Sequence, residues 1–329
     1  MKRQFTSQKK LIYQCLSRHL IYSQNQMVFL SRLSDYFTIS YLSTMDADIH
    51  TLYTSSFYRI LDFKCRCVDC RTSKPEYNEA FCISFVRKGN FLFNIFRHSL
   101  DSYTGCVLIT KPGYERTVTH AHSVPDECTI FEFTAGFYTV LLERYGKTGF
   151  FTNNDLHSTL YKTNPETEFL HFYIARLILT NTGTRLQVDN LVLEMIHKVL
   201  GAITDHTPED ALHPRLKLQH LSTIELAKHY ITEHYTDDIS LQEVATHCHV
   251  SPFHFSRIFK TFTQSSPHQF LLTIRLKHAE MLLKDTVLPI GDIAFSSGFN
   301  SIEHFTTAFR QKYKCPPARY RTQVSITPL

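Results

Sequence analysis

The sequence predicts an α+β protein. An N-terminal β-barrel with helices precedes a C-terminal all-α domain, in which two helix-turn-helix units are joined by a long helix. Three observations predict this. Residues 58–133 hold short runs of Phe, Ile, Val and Tyr between turn residues. From about residue 136, apolar residues recur at three- and four-residue spacing. The C-terminal third contains an internal repeat about 50 positions long.

The chain has 329 residues, with 43% hydrophobic and 20% charged. That length suggests two domains with an appendage, and the composition excludes a wholly disordered chain. The net charge of +5 permits an anionic partner without demanding one. No apolar run approaches the ~18–20 residues of a membrane helix, so the expected location is the cytoplasm, with no membrane partner. Nine cysteines, an odd number with no signal peptide before them, argue against a disulfide framework.

Residues 1–57 form a weakly patterned extension, with a weak helix near 8–22 and with Met45 as an alternative start. Expected strands are Tyr58–Lys64, Phe81–Arg87, Phe91–Arg97, Cys106–Thr110, Arg116–His120 and Cys128–Phe133. Gly89-Asn90 between the second and third suggests a hairpin. The number and closeness of the strands suggest a small barrel or sandwich, able to hold one small ligand. Helices follow at Gly136–Tyr145, Glu166–Leu179 and Arg185–Ile203. The stripe Leu186, Leu191, Leu193, Ile196, Val199, Leu200 faces either the core or a dimer seam. Residues 58–204 thus make one β-rich and helical domain, 205–216 a linker, and 217–329 a second, helical domain.

The repeat defines that last domain. Leu241, Val244 and Ala245 recur 49 positions later as Ile290, Ile293 and Ala294. Phe255, Phe259, Pro267 and Phe270 recur 50 positions later as Phe305, Phe309, Pro317 and Tyr320. Ser240 with Glu243 makes a capping box for a short helix, and Ser251-Pro252 opens a second. Two short helices joined by a tight turn are a helix-turn-helix. In the second copy, Gly298 suits a left-handed turn. Ser266, Pro267 and Gln269 open a long helix between the copies. About 18 residues of helix span ~27 Å, close to the ~34 Å of one DNA turn.

Residues 217–323 resemble the AraC/XylS family of transcription regulators. The resemblance rests on Ile239-Ser240-Leu241, Val244-Ala245, Ser251, His254-Phe255-Ser256-Arg257-Ile258-Phe259-Lys260, Ser266-Pro267, Ile290, Ile293-Ala294, Gly298-Phe299, His304-Phe305, Pro317 and Tyr320-Arg321. It implies binding to double-stranded promoter DNA, RNA polymerase as a partner, a homodimer, and a small-molecule or metal effector. The upstream β region resembles the cupin-like sensing domain that often precedes this module. In the family, Gly usually stands where this chain has Gln264 and Lys314, Ser where it has Pro316, and Arg where it has Thr307.

By helical register, Phe253, Ser256, Arg257 and Lys260 face DNA from the first copy. Asn300, Ile302, Glu303, Thr306 and Thr307 do so from the second. Arg grips guanine through two hydrogen bonds, and an apolar ring packs on a thymine methyl. Arg310, Lys312, Arg319 and Arg321 suit phosphates. In the sensor half, Cys65, Cys67 and Cys70 would make three ligands of a zinc site, with Cys128, His120, His122 or Cys82 as the fourth. Thiols without a ligand and redox-sensing thiols are the alternatives. His120, His122 and Glu127 imitate a cupin metal motif, so a metalloenzyme fused to a DNA-binding tail is the rival function.

Overall fold

The computed structural model describes residues 47–66, 72–120, 125–204 and 212–326. The expected helix near 8–22 and the alternative start at Met45 lie outside them. Ten strands form two antiparallel sheets. The larger has the order β1 (Ala47–Thr54), β2 (Tyr58–Cys65), β9 (Glu127–Phe133), β4 (Phe81–Lys88), β7 (Cys106–Thr110), β10 (Ser158–Lys162). The smaller has the order β3 (Glu76–Asn78), β8 (Tyr114–His120), β5 (Asn90–Ile95), β6 (His98–Tyr103).

Strand β4 is central and nearly continuously apolar, as a strand covered on both faces must be. On one face Val86 meets Leu108 and Cys128 of its own sheet, and Phe91, Phe93 and Val118 of the other. On the opposite face Ile83 and Phe85 join Ile60 and Phe131 beneath helices.

Two sequence expectations are corrected here. The sheet begins at Ala47 rather than at residue 58, because β1 pairs with β2 along its length. Its half-exposed, mixed composition hides it from an apolar-run criterion. The runs flanking Gly89 are not a hairpin either. Strand β4 pairs with β7 and β9, whereas β5 pairs with β6 and β8. At Gly89, with φ +89°, the chain crosses between sheets against Asp126, where a Cβ has no room.

Helices cover the outer face of the larger sheet. Helix α1 (Ala135–Tyr145) is capped by Thr134, and α2 (Gly149–Thr152) is a single turn. Helix α3 (Pro165–Leu179) starts at an Asn164 cap followed by Pro165. In α4 (Arg185–Thr204), Val188, Leu191, Val192, Met195, Ile196, Val199 and Leu200 are buried. Most of the stripe foreseen there faces the core, while Leu186 stays exposed.

His171 of α3 is half-buried, with its Nε2 enclosed, and its ring stacks on Phe85 at 4.4 Å and 4°. Burial, with the positive charge of Arg87, pushes its pKa down to about 3. Burial and Arg176 lower His278 to about 4. Unfolded, both titrate near ~6.5. Below that pH the unfolded chain binds protons that the folded one refuses, so stability falls as pH drops from about 6.5 toward the folded values. Urea midpoints measured from pH 7.5 to 4 should decline along this course, and His171→Leu should make the decline shallower. An unchanged slope in His171→Leu would exclude His171 as a cause.

The C-terminal helices follow the repeat. Helix α5 (Pro214–Glu233) begins inside the expected linker. The first helix-turn-helix is α6 (Leu241–His247) and α7 (Pro252–Thr263). Helix α8 (Pro267–Asp285) is the shared spine. The second unit is α9 (Ile290–Ser296) and α10 (Ile302–Tyr313), followed by α11 (Pro317–Ile326). Ser240, Ser251, Ser266 and Ser301 all accept a helix-opening N–H, and Ser240 and Ser266 form full capping boxes. The turn of the second unit places Gly298 at φ +84°, against the Tyr235 carbonyl. The first unit uses His249, at φ 56°, in the same way.

Helices α7 and α10 end on Gln264 (φ 57°) and Lys314 (φ 64°), both left-handed. The termination that glycine normally supplies is thus retained by side-chain-bearing residues, at a cost of ~1–2 kcal/mol each. Gln264→Gly and Lys314→Gly should each stabilise the fold by about 1 kcal/mol, seen as a higher denaturant midpoint. A lower midpoint would mean that these side chains contribute more than their backbone strain removes.

Candidate nucleic-acid interface

The two reading helices present matching faces. In α7, Phe255, Ile258, Phe259 and Phe262 are buried, which turns Phe253, Arg257 and Lys260 to the outside, with Ser256 partly exposed. In α10, Phe305, Ala308 and Phe309 are buried, which turns Ile302, Glu303, Thr307 and Arg310 outward, with Thr306 partly exposed. Asn300 is exposed just before α10. Nine of the ten residues expected at DNA therefore lie on the exposed or partly exposed sides of two equivalent helices, and Asn300 lies just before the second. Phe253 is 83% exposed, an unfavourable place for a phenylalanine unless something covers it. Burial first, then His254 and Arg257, lower the pKa of His220, whose ring lies 5.1 Å from that of His254.

Two expected phosphate contacts are otherwise engaged. Lys312 turns inward, its buried Nζ 3.9 Å from Glu166 of α3. The Arg321 guanidinium donates to the Leu288 carbonyl at 2.6 Å. Arg310 and Arg319 remain exposed.

Lys312 belongs to a network that sequence reasoning missed. Lys277 of the spine α8 is 0% exposed and pairs with Glu194 of α4 and, at 2.6 Å, with Glu280. Lys198 bonds Glu166 at 3.2 Å, Lys284 reaches Glu280 at 2.5 Å, and the Tyr320 hydroxyl donates to Glu280 at 2.7 Å. Burial works against the charge on Lys277, but Glu194 and Glu280 outweigh it and raise its pKa. Burial likewise opposes ionisation of Glu280, and Lys277 and Lys284 still hold it at about 2. The network joins helices α3 and α4 of the N-terminal half to the second helix-turn-helix unit. Its members are far apart in sequence, so no local pattern announces it.

Helix α5, which leads into the first unit, is also tied to the N-terminal half. Lys217 of α5 pairs with Asp101, and Lys228 pairs with Glu168 at 2.7 Å. Glu225 accepts from the Gly89 N–H at 3.0 Å and from the Thr104 hydroxyl. Phe255, Ile258 and Phe259 share one apolar core with the helices of the N-terminal half, whereas Phe299, Phe305 and Phe309 form a core of their own around the C-terminal part of α8.

The sensor-half candidates are brought together only in part. Cys67, Cys70 and His122 lie outside the described residues. The Cys65 sulfur lies 3.7 Å from His120 Nε2, and His120 Nδ1 bonds Asp126 at 2.5 Å. That bond, then the Cys65 contact, raises the His120 pKa to about 10. Cys128 is buried on the same strand as Glu127, and Cys82 is buried on β4. Glu127 is directed at Arg87 and Lys88, and of the cupin-like trio only His120 and Glu127 lie among the described residues. No group of three or more His, Cys, Asp or Glu among them is arranged to hold a metal ion. No described helix is long and apolar enough to cross a membrane.

Comparison with known proteins agrees with this geometry. Residues 224–323 match the family model described as a helix-turn-helix domain. The chain is 28% identical over 165 residues to the regulatory protein PocR of Salmonella typhimurium, covering 50% of this chain and 53% of PocR. It is 33% identical over 98 residues to the bifunctional transcriptional activator/DNA repair enzyme AdaA of Bacillus subtilis, covering 30% and 46%. The chain thus spans about half the length of the curated relatives it matches. Among solved structures, the C-terminal domain of AraT, a response regulator from Geobacillus stearothermophilus, is 34% identical with a TM-score of 0.30, covering 31% of this chain and 84% of that one. The DNA-binding domain of AdpA in complex with a target DNA is 27% identical with a TM-score of 0.30, covering 31% and 91%.

Proposed function

We propose that the chain, whose residues 224–323 match a helix-turn-helix domain model, is a sequence-specific, double-stranded-DNA-binding transcription regulator of the AraC type, acting in the cytoplasm. Its N-terminal half senses an effector, and RNA polymerase is its partner at promoters. The observation that carries this reading is the pair of equivalent helices, α7 and α10, with buried aromatic backs and exposed polar faces, set on one spine. A spine of that length suits two successive major-groove contacts on one face of DNA.

The ion network supports a way for the sensor half to act. Glu166 and Glu194 hold Lys312 and Lys277, so the second reading unit is tied to α3 and α4. A shift of those helices on effector binding would release or reorient that unit, while the first stays docked through α5. Homodimerisation through the sensor half would double the reading heads to two half-sites.

Selection from a random duplex library with the full-length protein tests this function. The expected result is one enriched motif containing two blocks about 10 base pairs apart, protected on one face in footprinting. Binding that shows no enrichment over bulk DNA at physiological salt would overturn the reading.

A further inference from the structure

We propose that the Cys65 thiol, set against His120 and Asp126 where the two sheets meet, is a peroxide-reactive sulfur that accepts oxygen from a hydroperoxide. Three strand ends build the site. Cys65 is the last residue of β2, His120 the last of β8 in the other sheet, and Asp126 directly precedes β9. The Cys65 N–H donates to the Asp126 carbonyl at 2.9 Å, which fixes these two side by side.

The side chains form a relay. His120 Nδ1 faces Asp126 Oδ2 at 2.5 Å, and Nε2 faces the sulfur at 3.7 Å. A nucleophile beside a base that is itself oriented by a third group is the arrangement that activates a thiol. Asp126 is 2% exposed, and its other oxygen has no hydrogen-bond partner among the described residues. Its charge is therefore committed to His120. Gly89 backs onto the carboxylate and leaves it no space to turn away. Burial pushes the Cys82 thiol up to about 12 and Cys106 and Cys248 to about 11, and raises Cys128 as well.

The reaction balances. The sulfur proton passes to His120 Nε2, and the thiolate attacks one peroxide oxygen. The O–O bond breaks, the leaving hydroxide takes the proton from His120, and the products are Cys65 sulfenic acid and water. Sulfur is oxidised by two electrons and the peroxide is reduced by two. Cys65 is only 6% exposed, which selects a water-sized oxidant over a bulky electrophile. Oxidation here would give the proposed regulator a chemical input, but the labelling test below holds whether or not the chain binds DNA.

The full-length protein would be treated with hydrogen peroxide for a set time, the peroxide removed with catalase, and the protein then unfolded in a dione that traps sulfenic acids and mapped by peptide mass spectrometry. Cys65 should label roughly 10²-fold faster than Cys82, Cys106 or Cys248, as expected of base-assisted chemistry. His120→Ala should lose most of that advantage and regain part of it with added imidazole. Because the wild-type comparison between cysteines needs no variant, a folding defect in His120→Ala leaves the test intact. Equal labelling of all the buried cysteines would overturn the proposal. So would about one zinc per chain with Cys65 protected until a chelator is added, since the sulfur would then be a metal ligand.

Discussion

Arg257→Ala weakens binding to the selected DNA motif by roughly 10- to 100-fold and flattens the preference at one base pair. A bidentate arginine–guanine contact is worth ~1–3 kcal/mol of discrimination. Arg257 suits this role because it is exposed on α7 between Phe253 and Lys260, and the helix behind it is locked by Phe255, Ile258 and Phe259. Its counterpart in the second unit is Thr307, which cannot make that contact, so the two halves of the motif should differ in information content. Arg310→Ala, on the rim of α10, should instead weaken binding evenly across sequences and reduce the salt slope by about 1. Both variants can be read in one titration series against matched and single-mismatch duplexes. An Arg257→Ala protein with unchanged affinity and base preference would rule out this register for α7.

Removing the buried cation at the domain junction has the largest expected effect on stability. Lys277→Ala leaves Glu194 and Glu280 facing each other without their shared partner. Breaking a buried ion pair from one side costs ~3–5 kcal/mol, so the urea midpoint should fall steeply. Glu166→Gln asks a different question. It removes a charge that holds Lys312 while leaving Lys277 paired with Glu194 and Glu280. Faster hydrogen exchange in α10 and tighter, more salt-dependent DNA binding should follow, because a released Lys312 gains access to phosphate. If Glu166→Gln alters neither exchange nor affinity, the junction is a fixed scaffold and the sensor does not act through it.

Much of the reading domain was legible in the sequence because its determinants are local. Caps at Ser240, Ser251, Ser266 and Ser301 name helix starts within a few residues. The phenylalanines at 255, 259, 305 and 309 name the buried face, and the exposed face follows by periodicity. The repeat supplied the rest, since two copies with the same spacing must have the same fold. The helical half of the sensor was legible for the same reason.

The limits lie where partners are distant in sequence. A sheet's composition does not say which strand pairs with which, so the crossover at Gly89 resembled a hairpin turn. Strand β1 carries too few buried residues to announce itself. Lys312 was assigned to phosphate because a basic residue on a reading helix usually faces outward. Only packing against Glu166 turns it inward, and the same holds for Arg321 at the Leu288 carbonyl. The pairing of Cys65 with His120 rather than with its sequence neighbours needed two sheets to bring strand ends together. By itself, then, the sequence determined the helices of the C-terminal domain and their buried and exposed faces, because these depend on residues within a turn or one repeat of each other. The tertiary structure alone decided the sheet pairing, the Cys65–His120–Asp126 relay and the charged junction between the halves. Those contacts join residues tens to more than a hundred positions apart, and only chain folding sets their distances.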